Sequence, residues 1–464
     1  MSETTKKKDV VHELAAHIVR RDFDDLDATT VEVTKKSILD TLGVMAAASG
    51  MTPECRPLVE LIKDAGGREE STIMGFGGRV PAWMAAFVNG ALAHSLDYDD
   101  LYYEAPVHPS SPVISAALAV AERVGPVSGK SFIAAVTLGN DLSCRIGHGM
   151  HWKMDWNPTT VIGAFGATAA SGKILNLDNN HMVSALGIAL SEAAGTQEMR
   201  YSVGNHLGGL RDGYPARGGA LSALMAQRGI LGPENSFEGR AGLINVHFGG
   251  DFDRDALTDG LGQIYQGNQV SIKAWPTCGT SHVYIDSALR IMTQNNLGAR
   301  DVETITLYAG DFAMLHCEPL NERCQPLTSP DAKYSIPYAV ALAVAKGRVT
   351  IDDLTPEAIR DPVVLTMERR IHLKLDPAFN AEHGEPPGKV EIGTTDGRTF
   401  ALALEFGYGH HNNPISTEDV VGKFLDCVSH AVHPVSRTEA EQVANIVMTL
   451  EDAPDVAPII RLLS

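Results

Sequence analysis

The run His94-Ser-Leu-Asp-Tyr-Asp-Asp100, followed by His108-Pro-Ser-Ser-Pro112, is the densest polar cluster in the chain and lies between two apolar stretches. A carboxylate beside an imidazole fixes the tautomer of the ring and raises its basicity, which is what general acid–base work needs. The same residue types also end and cap helices, and Asp99 and Asp100 need do nothing else. Spacing alone leaves these two readings level. Asp-rich clusters bind hard cations too, but this one has no defined ligand spacing, so a metal site is the weakest reading and no metal ligand is assigned.

Two further clusters carry cations. Glu198-Met-Arg200 and Gly204-Asn-His-Leu-Gly-Gly-Leu-Arg-Asp-Gly-Tyr-Pro-Ala-Arg217 combine glycines, which let a ligand approach the backbone, with arginines, whose planar fork fits a carboxylate. By itself this is a weak signal, because solvated arginines on a glycine-rich connection look the same. Lys273-Ala-Trp-Pro-Thr-Cys-Gly-Thr-Ser-His282 places a Lys, a Cys and a His where the texture of the chain changes, and there function has the edge over a capped helix start. Tyr338, in Asp331-Ala-Lys-Tyr-Ser-Ile-Pro-Tyr338, is a core residue on base rates. Cys144 with His148, Cys317 with Cys324, and His410-His411 lack the further ligands a metal centre requires.

These clusters must be positioned by the elements around them. Val10, Val11, Leu14, Ala15, Ile18 and Val19 form one buried helical stripe, and Ala-rich helices are expected over 31–48, 81–96, 112–124, 131–146 and 159–175. The small residues of Val161-Ile-Gly-Ala-Phe-Gly-Ala-Thr-Ala-Ala-Ser171 suit helix packing better than a nucleotide loop. After about residue 266 strands enter, at Val302–Tyr308 and Arg370–Leu375. A hairpin is expected over 389–405, with Asp396-Gly397 as a type I′ turn. Ser416 then caps a helix and the tail is helical. The expected fold is mainly α with an α+β lid. A large helical-bundle domain is formed by both chain ends (1–266 and 410–464), and a smaller α+β domain (267–409) is inserted between them. The cleft between the two is the expected active site.

A net charge of −19 disfavours nucleic acid and anionic membranes, yet a few converging cations can still hold an anionic metabolite. Six scattered cysteines without a CxxC pair fit a reducing compartment, and no apolar run is long enough to span a bilayer. A soluble cytoplasmic protein is expected.

Taken in order, Ile38-Leu-Asp-Thr-Leu-Gly43, Asn89-Gly-Ala-Leu-Ala-His-Ser-Leu-Asp-Tyr-Asp-Asp100, His108-Pro-Ser110, Lys273-Ala-Trp-Pro-Thr-Cys278, Asp331–Tyr338 and Asn413-Pro-Ile-Ser416 resemble the MmgE/PrpD family. That family contains 2-methylcitrate dehydratase, cis-aconitate decarboxylase and iminodisuccinate epimerase. The resemblance implies a helical domain with an α+β lid, usually as a homodimer, and chemistry without cofactor or metal. It places Asp97, His108, Lys273 and Tyr338 at the active site, with His108 oriented by Asp97. Asn157, Arg200, Arg211, Tyr214, Cys278 and His282 are candidate substrate-binding residues, Arg211 taking the duty of a family lysine. Cys278 and Asn157 stand where cis-aconitate decarboxylases have His, and Leu101 replaces their polar residue, which counts against that decarboxylation. The expected reaction is loss of water from a small hydroxy di- or tricarboxylate through a carboxylate-stabilised carbanion, with epimerisation or decarboxylation as the alternative.

Overall fold

A computed structural model describes residues 8–151, 155–202, 205–381 and 384–464. The protein is mainly α-helical with one four-stranded sheet and a two-residue ribbon. It divides into two compact units, Met1–Val270 with Ser416–Ser464, and Ser271–Ile415. These boundaries fall a few residues C-terminal to the junctions read from the sequence.

The first unit is a bundle of helices whose sides are apolar nearly all round, the pattern of helices buried within a bundle. Its central members are Ala28–Met51, Ala82–Ser95, Ser110–Val124, Gly129–His148, Pro158–Ile174 and Gly213–Gln227. Caps define where they begin. Asp27 accepts from the Thr30 amide at 2.8 Å, and Ser128, Asn157 and Asp178 cap later helices in the same way. Small residues then allow close packing: a methyl group at Gly166 would lie 2.6 Å from the Gly139 carbonyl oxygen, so these two helices meet backbone to backbone. The Gly- and Ala-rich run from Val161 is thus a packing helix. Where the sequence suggested a helix from Pro112, the structure begins it at Ser110, which brings His108 to its doorstep.

In the second unit the strands run in the order 371–375, 302–309, 388–394, 399–404. Val302–Ala309 pairs parallel with Ile371–Leu375, and the connection between them carries the apolar helix Ile336–Lys346. A parallel pair requires such a crossover. Ile305, Leu307, Val390 and Ile392 face a core shared with Ile285, Tyr338 and Val340. The hairpin 388–404 forms, but its turn is not type I′. Only Gly397 has a positive φ (+85°), and Asp396 keeps an ordinary one. The loop is therefore the three-residue kind, with Gly397 in the left-handed position.

Among the described residues no helix is long and apolar enough to cross a membrane. All six cysteines are buried.

Candidate active site

The Ala82–Ser95 helix ends just beyond His94, and the chain folds back through Asp97, whose φ is +52°. Left-handed backbone is uncommon outside glycine, and Asp is among the residues that tolerate it best. The Asp97 amide donates to the His94 carbonyl at 2.7 Å, closing the turn. Two residues later the Asp99 side chain reaches back to the helix end. Its oxygens lie 3.0 and 3.1 Å from His94 Nδ1, and Oδ2 lies 3.3 Å from His108 Nδ1. Ser111 Oγ, in the first turn of the next helix, donates to the same Oδ2 at 2.6 Å. The His94 and His108 rings meet nearly edge to face, 4.7 Å apart between centroids. Asp99 is fully buried, and His94 and His108 are 2% and 6% exposed.

The hydrogen bonds settle the tautomers. His108 Nδ1 lies 2.7 Å from the Asp100 carbonyl oxygen, which can only accept, so Nδ1 carries the proton. Burial pushes the Asp99 carboxyl up, but His108 and His94 pull it down harder and hold it well below the usual carboxylate range. An ionised Asp99 only accepts, so His94 Nδ1 donates as well. In each ring Nε2 is then the atom left without a proton and able to take one. One buried carboxylate balances one imidazolium. Burial also raises the neighbouring acids, Asp212, which lies 3.5 Å from His94 Nδ1, and Asp100, the latter to about 7. The centre therefore sets two imidazoles against a single ionised carboxylate, a pairing that could supply an acid and a base. One potential ligand atom from each of His94, Asp99 and His108 lies within 4.8 Å of the others, so the trio also has a composition a divalent ion could use.

The expected site residues take varied places. His108 is in the centre, and the carboxylate against it is Asp99, to which spacing had assigned only a capping role. Asp97 shapes the turn. Arg211 lies 3.4 Å from Asp212 Oδ1 and donates to the Gly208 carbonyl at 3.3 Å, so it joins the centre through Asp212. The Arg200 side chain lies outside the described part of the protein. Tyr214 is exposed and packs on Phe87, with the Arg217 guanidinium over both rings. Asn157 is buried and caps Pro158–Ile174, its side chain accepting from the Thr160 amide at 3.1 Å.

Four candidates belong to the second unit. Lys273 is buried; the Cys278 amide donates to the Lys333 carbonyl at 2.9 Å; His282 begins a helix and packs edge to face on Trp275. The Tyr338 ring is fully buried in the core of that unit, its hydroxyl donating to the Asp353 carbonyl at 3.3 Å, and burial raises its pKa. Sequence reasoning missed His94, Asp99 and Asp212 as members of one centre. The signal available was His94 and Asp99 flanking a helix end, and only the left-handed turn at Asp97 turns that spacing into contact.

The MmgE/PrpD N-terminal domain matches residues 12–255 and the MmgE/PrpD C-terminal domain matches residues 275–451. The chain is 26% identical to the cis-aconitate decarboxylase of Mus musculus over 98% of its length and 93% of that protein. It is 27% identical to the Homo sapiens protein of the same name, over 98% and 95%. With the 2-methylcitrate dehydratase of Escherichia coli (strain K12) identity is 24%, over 84% and 83%. The chain belongs to the MmgE/PrpD family.

Proposed function

We propose that this MmgE/PrpD-type enzyme is a cofactor-independent hydro-lyase. Its substrate is a small hydroxy di- or tricarboxylate such as 2-methylcitrate, and water leaves through a carbanion stabilised by the adjacent carboxylate. The observation that carries this reading is the pair of imidazoles sharing Asp99. Elimination needs two proton movements of opposite sense. A neutral imidazole Nε2 takes the proton on the carbon beside the carboxylate, and the electron pair left behind delocalises into that carboxylate and then forms the alkene. The departing hydroxyl takes a proton from the imidazolium and leaves as water. Decarboxylation needs no base, because loss of carbon dioxide itself creates the carbanion and a single acid quenches it. A paired acid and base thus favours elimination, although relatives named cis-aconitate decarboxylase keep the other reaction as the alternative.

Lys273, with Arg211 or Arg200, is the proposed partner of the substrate carboxylates, where a cation stabilises the developing negative charge. With two imidazoles available the proton steps do not need Tyr338, and Asn157 and Cys278 are assigned no proton. Arg211 would set carboxylate spacing from beside Asp212.

The test is to mix the protein with 2-methylcitrate, citrate and related hydroxy acids and follow conjugated-alkene absorbance. Alkene should appear, and His108→Gln should lower kcat about 1,000-fold. Carbon dioxide released from cis-aconitate without any hydroxy acid giving an alkene would replace elimination with decarboxylation. Solvent deuterium entering substrate without loss of water would replace it with epimerisation. Dialysis against EDTA should leave turnover unchanged; loss restored by a divalent ion would convert the trio into a metal site.

A further inference from the structure

The motif Ile38-Leu-Asp-Thr-Leu-Gly43 has no part in the proton chemistry, yet two of its residues lead to the centre. Asp40 and Gly43, three apart, share a face of the Ala28–Met51 helix. That face meets the C-terminal helix Thr417–Ser429, and a methyl group at Gly43 would sit 3.2 Å from the Phe424 backbone, so the glycine sets a close approach. The approach delivers Lys423. Its ammonium lies 2.5 Å from Asp40 Oδ1, with the two side chains 4% and 0% exposed. It also donates to the Tyr98 carbonyl at 2.8 Å and stands 3.6 Å from the centroid of the Tyr98 ring.

Tyr98 is the residue between left-handed Asp97 and the Asp99 carboxylate. A backbone held in a sparsely populated region persists only when its surroundings over-determine it. Here Lys423 grips both the carbonyl and the ring of the residue that joins the strained turn to Asp99. A buried ion pair only about repays its own desolvation, so the Lys423–Asp40 pair is poor evidence for added stability. What it supplies is direction. We propose that Lys423, aimed by Asp40, is a positioning residue that sets the Tyr98–Asp99 peptide and thereby keeps the Asp99 carboxylate between His94 and His108. This rests on the reading of Asp99 as the group that orients both imidazoles.

The test uses the full-length Lys423→Met/Asp40→Leu variant, which leaves no stranded buried charge, beside Lys423→Met alone. The His94 Nδ1 proton bonded to Asp99 and the His108 Nδ1 proton bonded to the Asp100 carbonyl should resonate downfield, and His94→Gln and His108→Gln assign them. In the double variant, at a temperature where thermal unfolding shows it fully folded, these protons should exchange with solvent at least about tenfold faster than in the parent protein. With a turned-over substrate, kcat should fall about 100-fold while KM stays within about twofold, the pattern of a misaligned acid–base group. A folded double variant with parental downfield resonances and exchange, or with parental kcat, overturns the proposal. The resonances decide it even if no polycarboxylate is turned over, so failure of the hydro-lyase reading is distinguishable from failure of this one.

Discussion

Asp99 in the first unit and Glu368 in the second are both buried acids, and they end in opposite states. Asp99 receives Nδ1–H from His94 and a hydroxyl from Ser111, has His108 Nδ1 3.3 Å away, and is held ionised. Glu368 ends the Pro362–Glu368 helix, where the dipole is unfavourable to an anion, and neither of its oxygens has a hydrogen-bond partner among the described residues. Burial raises it to about 7, with Arg369 opposing only in part. Burial alone pushes a carboxyl toward its neutral form. Burial among donors that can change their own charge makes it an orienting anion, and that difference separates a structural acid from a mechanistic one.

The largest effect expected from breaking this contrast is at Asp99. Asn in its place keeps the shape, removes the charge and can offer N–H to a ring that needs an acceptor. Asp99→Asn should therefore lower kcat about 1,000-fold with little change in KM, measured on the substrate identified by alkene formation. An effect below about tenfold would reduce Asp99 to a capping residue.

At Glu368 the expected effect is on stability and runs with pH. The folded protein holds the Glu368 proton to a higher pH than the unfolded chain does. The cost of ionising it therefore begins as pH rises past the unfolded value near 4.5 and is complete above about 7. Glu368→Gln should be more stable than the parent by on the order of 1–3 kcal/mol at pH 8 and by little at pH 4, read from urea midpoints at both values. A difference that is flat across this range, or that grows toward acid, would contradict the neutral buried state.

The smallest effect sharpens the boundary between holding and reacting. Asn157→Ala removes a helix cap and should cost about 1 kcal/mol of stability with kcat and KM nearly unchanged. A rise in KM of about tenfold without loss of stability would return Asn157 to the substrate.

Several long helices were legible because their apolar periodicity and capping residues are local, as at Ser416 and the stripe from Val10 to Ile18. The 388–404 hairpin was legible for the same reason, although its turn was not: Asp-Gly is compatible with more than one loop, and flanking pairing decides which forms. His108 stood out by composition. Which of Asp97, Asp99 and Asp100 faces it did not, because three acids within four residues differ only in the backbone direction imposed at Asp97. Asp212 and Lys423 join from far along the chain, and no spacing rule links them to His94 or Tyr98. Asn157 shows the limit of spacing, because a polar residue ahead of a helix serves equally as a cap or a ligand; its capping bond is what the structure shows.

The bond from Lys423 to the Tyr98 carbonyl spans 325 positions, with the whole of the second unit, Ser271–Ile415, between its ends. A chain that emerges from the ribosome N-terminus first can build most of the helical bundle early, but the Lys423 contact to the turn that carries Asp99 must wait for a helix translated after the second unit. Closing so long a loop is slow compared with forming local helices. The Lys423 contact is thus among the last to form, and, if it positions Asp99 as proposed, a nascent chain halted before residue 423 should hold its two histidines without that arrangement.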